Sequence, residues 1–292
     1  MEPKVYVDGK LYPKSEAKVS VFDHGLLYGD GIFEGIRVYS GRIFRFKEHM
    51  DRLFESARII QLNMPLSREE LDRTVEDTVR ANGMRDAYIR LVITRGTGDL
   101  GIDPRKCKKS TLIIIVDKIT VYDDELYGQG IPIITSSTRR IRPDMLDQRA
   151  KSLNYLNSIM AKMEANLAGV GEALMLDCNG YVAECSVDNF FLIKAGELLT
   201  PSLEFPILAG ITRAVVLDIA EKLDIPCREC SLTLHDVYSA DECFLTGTGA
   251  ELMPVTSVDS RKIGDGKPGP LTAELLKEFR TLQSAEGVDL FA

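Results

Sequence analysis

Residues 111–135 read TLIIIVDKITVYDDELYGQGIPIIT. An aliphatic run, Leu112 to Val116, gives way to a polar, acidic and turn-rich stretch from Thr120 to Gly130, and a new apolar run opens at Ile131. Short apolar runs bounded by turn residues read as strands, and the polar stretch between them reads as a connection between separately packed units. The 292 residues thus divide into a domain over 1–120, an interdomain loop over 121–133 and a larger domain over 134–292. Such sizes suit the usual ~100–200 residues per domain.

Upstream of this boundary, Val5–Val7, Ala17–Val21 and Gly35–Val38 are expected to be strands. A helical pattern follows, with Met50, Leu53, Phe54, Ala57 and Ile60 at three- and four-residue steps. A second helix is marked by the capping box Ser67-x-x-Glu70, the stripe Leu71, Val75 and Val79, and the stop Asn82-Gly83. Strands at Tyr88–Thr94 and Thr111–Val116 complete a small α+β unit. Downstream, a strand is expected at Ile131–Thr135 and a helix from about Asn154 to Leu167. Asn179-Gly180 signals a type I′ hairpin, and further helices are expected at Ile211–Leu223 and Leu271–Gln283.

The balance of 36 Lys+Arg against 44 Asp+Glu gives a net charge of −8, no footprint for a phosphate backbone, so nucleic acid is not an expected partner. The opening MEPKVYVDGK has no apolar targeting region, and no aliphatic run approaches the ~20 residues of a membrane span. The expected setting is cytoplasmic. Only Cys227 and Cys230 of the six cysteines have a C-x-x-C spacing, and the only histidines are His24, His49 and His235, so no metal site is expected and the thiols read as ordinary packing residues.

Four features could carry chemistry. Lys151 stands where an Arg-rich polar stretch meets an apolar helix; on a helix it would share a face with Tyr155. Glu184, in the strand-like Tyr181-Val182-Ala183-Glu184, shares a side with Val182; a carboxylate aimed inward there needs a cationic or hydrogen-bonding partner, and a protonated pyridine nitrogen would serve. Gly210-Ile211-Thr212 opens a helix, and Gly247-Thr248-Gly249-Ala250 forms a small-residue turn; both could receive an anion. Arg52 lies beside the apolar stripe of the first helix, and Arg37 in the third strand-like segment. Taken singly, each has a bland reading as a surface lysine, an edge-strand glutamate, a plain cap or turn, or a solvated arginine.

Their order along the chain is more specific. The segments FDHGLLYGDGIFEGIR (Phe22 to Arg37), FKEHMDRL (Phe46 to Leu53), YIR (Tyr88 to Arg90), RGTGDLG (Arg95 to Gly101), KSLNYL (Lys151 to Leu156), GYVAECSVDNFF (Gly180 to Phe191), LAGITR (Leu208 to Arg213) and LTGTGAELMPV (Leu245 to Val255) together resemble the branched-chain amino acid aminotransferases. These are fold-type-IV pyridoxal 5'-phosphate (PLP) enzymes, and the resemblance covers nearly the whole chain. It implies a two-domain α+β / α/β fold with the cofactor site at the domain interface.

The resemblance implies that Lys151 holds PLP as a Schiff base, Glu184 pairs with the pyridine nitrogen and Tyr155 hydrogen-bonds the phenolic oxygen. Arg52, Ile211, Thr212 and Thr248 would take the phosphate. Tyr88 and the N–H groups around Thr248, Gly249 and Ala250 would hold the substrate α-carboxylate, Arg90 with Tyr28 the distal carboxylate of glutamate, and Phe33, Gly35 and Arg37 would shape the side-chain pocket. Two half-reactions would move the amino group of L-leucine, L-isoleucine or L-valine to 2-oxoglutarate. By the same resemblance, Tyr28 and the loop Gly98–Gly101 reach the pocket of a second subunit, so at least a homodimer is expected. Either Tyr122 or Tyr127 could supply one pocket wall. The sequence departs from many relatives at Gly249, where they carry Ala. The rivals on the same fold are a D-amino acid aminotransferase and an aminodeoxychorismate lyase; a non-catalytic PLP-binding domain would complete no half-reaction.

Overall fold

The computed structural model describes residues 2–291, which divide into two compact units. The first unit takes residues up to 119, together with 150–154 and the chain end from 283; the second takes 120–149 and 155–282. The two short segments lie inside the stretch that the sequence reading assigns to the second domain. They group with the first unit because their backbones pair there.

In the first unit the elements are β1 (Lys4–Val7), β2 (Lys10–Pro13), α1 (His24–Tyr28), β3 (Gly31–Tyr39), β4 (Arg42–Ile43), α2 (Phe46–Ile59), α3 (Arg68–Asn82), β5 (Ala87–Thr94) and β6 (Thr111–Asp117). The strands form one sheet in the order β4-β3-β5-β6-β1-β2, extended beyond β4 by a short strand near the chain end, Val288–Asp289. Alternate residues of β5 are buried, and Ile89, Leu91 and Ile93 join Ile32 and Ile36 of β3 in the core. Met50, Leu53 and Ala57 of α2 and Leu71, Val75 and Val79 of α3 close over that core, at the helical spacing seen in the sequence. The capping box forms as expected: Ser67 accepts from the Glu70 amide and Glu70 accepts from the Ser67 amide.

The second unit contains α4 (Asp124–Gln129), β7 (Ile131–Thr135), α5 (Leu156–Leu167), β8 (Glu172–Leu176), β9 (Val182–Cys185), β10 (Asn189–Lys194), β11 (Glu197–Pro201), α6 (Ile211–Lys222), β12 (Cys227–Cys230), α7 (Leu234–Tyr238), β13 (Glu242–Gly247), β14 (Glu251–Val258), β15 (Arg261–Lys262) and most of α8 (Pro270–Ala285). Its sheet runs β12-β11-β10-β13-β14-β7-β8-β9, with β15 against β14. Phe190, Leu192, Leu245, Met253 and Val255 fill its core. No helix among the described residues is long and apolar enough to cross a membrane.

Four local expectations are corrected. Ala17–Val21 is irregular, with Val19 and Val21 exposed rather than alternately buried, and Lys10–Pro13 instead takes the place beside β1. The polar stretch before Ile131 contains α4, a helix of six residues. At Asn179-Gly180 only Gly180 has positive φ (89°), so the turn is not type I′. The Asp177 carboxylate accepts from the amides of Asn179 and Tyr181 (2.9 and 2.8 Å), which favours a longer loop with glycine in its left-handed position. Finally, α5 begins at Leu156, so Lys151 is not helical.

Candidate active site

Lys151 lies in an extended segment laid against β3. Its carbonyl accepts from the Phe33 amide at 3.0 Å, Ser152 bridges to Ile32, and the Leu153 amide donates to the Gly31 carbonyl at 2.9 Å. The expected helical face shared with Tyr155 is therefore absent; Tyr155 is the residue preceding α5, in the second unit. The Lys151 amide donates to Ser56 Oγ (3.0 Å), and Ser56 donates to the Arg52 carbonyl (2.9 Å), so α2 also fixes the segment.

Alternate residues of a strand share a face, so Phe33, Gly35 and Arg37 of β3 lie on one side of the sheet. Gly35 pairs with Arg90 and Arg37 with Tyr88 across the ladder, which puts all five on that side. The Lys151 ammonium stands 4.7 Å from the Phe33 ring centroid, and the Arg90 guanidinium 4.4 Å from the same centroid. A Cβ at Gly35 would fall 1.9 Å from the Tyr88 hydroxyl oxygen, so only glycine leaves room for that phenol. Neither Arg37 nor Arg90 has a carboxylate partner among the described residues, and Arg37 Nε is buried without a hydrogen bond. Half-buried guanidiniums without an anion are suited to receiving one.

On the opposite side of β3, Glu34 is fully buried between Ile32 and Ile36. Arg52 donates to it through Nε (2.7 Å) and Nη2 (2.8 Å), and His49 Nδ1 lies 2.8 Å from its second oxygen. Burial alone would raise the Glu34 pKa, but the charge and hydrogen bonds of Arg52 and the His49 bond outweigh it and hold the carboxyl well below the usual range. Burial has the last word at His49, whose pKa is lowered despite Glu34.

In the second unit, Glu184 on β9 is buried as expected, at 3% exposure. Its Oε1 accepts from Nε (3.0 Å) and Nη2 of Arg140, and its Oε2 from the Leu208 amide (3.0 Å) and Asn189 Nδ2 (3.2 Å). Arg140 is itself buried and also donates to Ser158 Oγ at 2.8 Å. α6 starts at Ile211 with Gly210 as its N-cap and no side-chain cap, so Thr212 is not a plain cap. Its first amides and positive dipole end carry no competing side-chain acceptor at the cap position. Ala250 is buried, and its carbonyl accepts from the Tyr127 hydroxyl (3.1 Å); Tyr122 and Tyr127 both pack, partly buried, against the core, and the Tyr122 pKa is pushed up by burial and then by Asp188 and Glu172. Of the two loop tyrosines, Tyr127 is therefore the one tied to the small-residue turn.

Residues 31–258 match the family described as Amino-transferase class IV. The chain belongs to that family. Within the class IV aminotransferases it stands among the branched-chain amino acid enzymes. It is 50% identical over 289 residues to a Methanocaldococcus jannaschii homologue, covering 99% of each chain. It is 37% identical to the branched-chain-amino-acid aminotransferase of Escherichia coli K12, covering 98% of this chain and 94% of the other. The solved branched-chain amino acid aminotransferase of Thermobaculum terrenum, in its PLP form, superimposes with a TM-score of 0.88 at 30% identity, covering 97% and 94% of the two chains.

Sequence reasoning about this class IV aminotransferase missed Arg140, Glu34, His49 and Ser56. Glu34 did leave a signal, a carboxylate inside the otherwise apolar Gly31–Ile36. Arg140 left none beyond its Arg-rich surroundings, because its partner lies 44 positions away.

Proposed function

We propose that the chain transfers the amino group of L-leucine, L-isoleucine or L-valine to 2-oxoglutarate, using PLP held covalently by Lys151. The observation that carries this reading is the sheet face on which the Lys151 ammonium, the Phe33 ring, Tyr88, Arg37 and Arg90 converge. The donor set fits the cofactor: an amine at Lys151, a buried carboxylate at Glu184, the immobilised guanidinium of Arg52, and an α6 N-terminus without a side-chain cap. When bound, PLP supplies the electron sink for the charge left as the substrate α-proton departs.

Lys151 would hold the group through its neutral amine, and its Nζ would take and return the proton of the substrate α-carbon. Glu184, paired with Arg140, would keep a proton on the pyridine nitrogen, and Tyr155 would hydrogen-bond the phenolic oxygen. Arg52, Ile211, Thr212 and Thr248 would hold the phosphate. Tyr88 and the amides of Thr248, Gly249 and Ala250 bind the α-carboxylate. Arg90, with Tyr28, binds the distal carboxylate of glutamate, and Phe33, Gly35 and Arg37 shape the space for a branched side chain.

The active unit is at least a homodimer. Phe22, Leu26, Leu27 and Tyr28 are exposed, as are Leu100 and Ile102. Their loops are tied together by the His24 Nε2 contact to the Asp99 carbonyl (2.8 Å) and the Gly98 amide bond to the Phe22 carbonyl (3.2 Å). One apolar surface results, suited to a second copy. Six free thiols suit a cytoplasmic setting.

The test is the visible spectrum of the purified protein with L-leucine, D-alanine and 2-oxoglutarate in turn. The yellow band should collapse with L-leucine and return with 2-oxoglutarate. Collapse with D-alanine only would move the assignment to the D-amino acid rival, and a protein that is colourless after incubation with PLP and removal of the unbound cofactor would remove the cofactor altogether.

A further inference from the structure

The role argued here for Glu34 rests on the proposed function, in which Arg52 meets the cofactor phosphate. An arginine side chain is flexible, so a phosphate met by a free one must first immobilise it. Here the guanidinium is already fixed. Glu34, wholly buried, takes Nε and Nη2 side-on at 2.7 and 2.8 Å, which directs the Nη1 edge away from the carboxylate. His49, one turn earlier on α2, contacts Glu34 Oε2 at 2.8 Å and holds the carboxylate in turn. One turn further, Ser56 joins the Arg52 carbonyl to the Lys151 amide. A buried ion pair is weak evidence for stability, since apolar residues of similar volume often serve as well. Its value here is geometric: one helix carries the guanidinium and fixes the backbone of the reactive lysine.

We propose that Glu34 is a positioning residue that presets the Arg52 guanidinium for the cofactor phosphate, and that Ser56 registers the Lys151 backbone to the same helix. Outer partners of metal ligands typically command about 10- to 100-fold in affinity for the metal, and the same scale is taken for Glu34 behind Arg52. Glu34 acts only through Arg52, so its effect is specific to the phosphate. Ser56 acts on the lysine, so its effect is not.

The experiment compares equilibrium binding of PLP and of pyridoxal, which lacks the phosphate, to the full-length protein stripped of cofactor. Parent protein should prefer PLP strongly. Glu34→Gln should weaken PLP by about 10- to 100-fold and leave pyridoxal unchanged. Arg52→Ala should cut the preference at least as far, to what Ile211, Thr212 and Thr248 supply, and adding Glu34→Gln to it should change the preference no further. Glu34→Asp keeps the buried charge but withdraws it from Arg52; it should fall between parent and Glu34→Gln, and it serves if the neutral variant folds poorly. Ser56→Ala should weaken both ligands equally. Equal weakening of both ligands by Glu34→Gln and Glu34→Asp, or additive effects with Arg52→Ala, would overturn the positioning role. A parent protein that shows no preference for PLP would instead remove Arg52 from the phosphate, and the inference with it.

Discussion

Replacing Arg140 with Met removes the one cation paired with Glu184 among the described residues and leaves a carboxylate that is 3% exposed. The Leu208 amide and Asn189 Nδ2 remain on Oε2, but Oε1 loses both of its Arg140 donors. Removing one member of a buried pair costs about 3–5 kcal/mol, most of it the penalty of an uncompensated charge. At about 2–4 °C per kcal/mol for a unit of this size, the second unit should melt about 6–20 °C lower. The variant Arg140→Met with Glu184→Gln removes the charge as well as the cation, and it should recover at least half of the loss. The assay is thermal and urea unfolding of parent, both single variants and the double variant, followed by far-UV circular dichroism at pH 7. An Arg140→Met protein within about 1 kcal/mol of the parent, below the range for a broken buried pair, would refute the reasoning. So would a double variant as unstable as the sum of the singles, because two residues bound as a buried pair must be strongly coupled.

Gly35→Ala should drive the Tyr88 phenol out of its place, since the new methyl would sit 1.9 Å from the hydroxyl oxygen; overpacking of this kind costs about 1–3 kcal/mol, and steady-state kinetics should show a raised KM for L-leucine, an unchanged KM counting against the site. Arg90→Met should raise the KM for 2-oxoglutarate by at least about 10-fold, the scale of one charge-assisted pair, while the half-reaction with L-leucine changes little; equal losses on both substrates would contradict the assigned role. His49 packs against Glu34 and near Arg52 and Lys151, and its folded pKa lies below the unfolded one chiefly through burial. The unfolded chain therefore binds the extra proton below about pH 6.5, and stability falls as pH drops, by at most about 1.4 kcal/mol per pH unit from this group. His49→Gln should flatten the stability profile of the first unit between about pH 6.5 and 5, and parallel profiles for variant and parent would contradict this.

The sequence is legible where a residue's environment is set by its neighbours in the chain. The stripes of α2 and α3 and the Ser67 capping box are local patterns, and Glu184 is visible as a carboxylate in a short apolar strand, all four residues of which are buried. The apolar spacing of α5 reads back to about Asn154 and leaves the Lys151 backbone open, while the backbone there is claimed by pairing with Ile32 and Phe33, more than a hundred positions away. Arg140 and His49 acquire meaning only through partners brought together by the fold. Ala17–Val21 has strand composition, but it has no ladder to join and no buried face to fill.

The central claim is that Lys151 carries the cofactor. Borohydride treatment of the yellow holoprotein, followed by proteolysis and peptide mass spectrometry, tests it directly. A single phosphopyridoxyl mass increment is expected on the peptide that contains Lys151, and none in a Lys151→Ala protein treated alike. An increment on another lysine, or one that survives in Lys151→Ala, would contradict it.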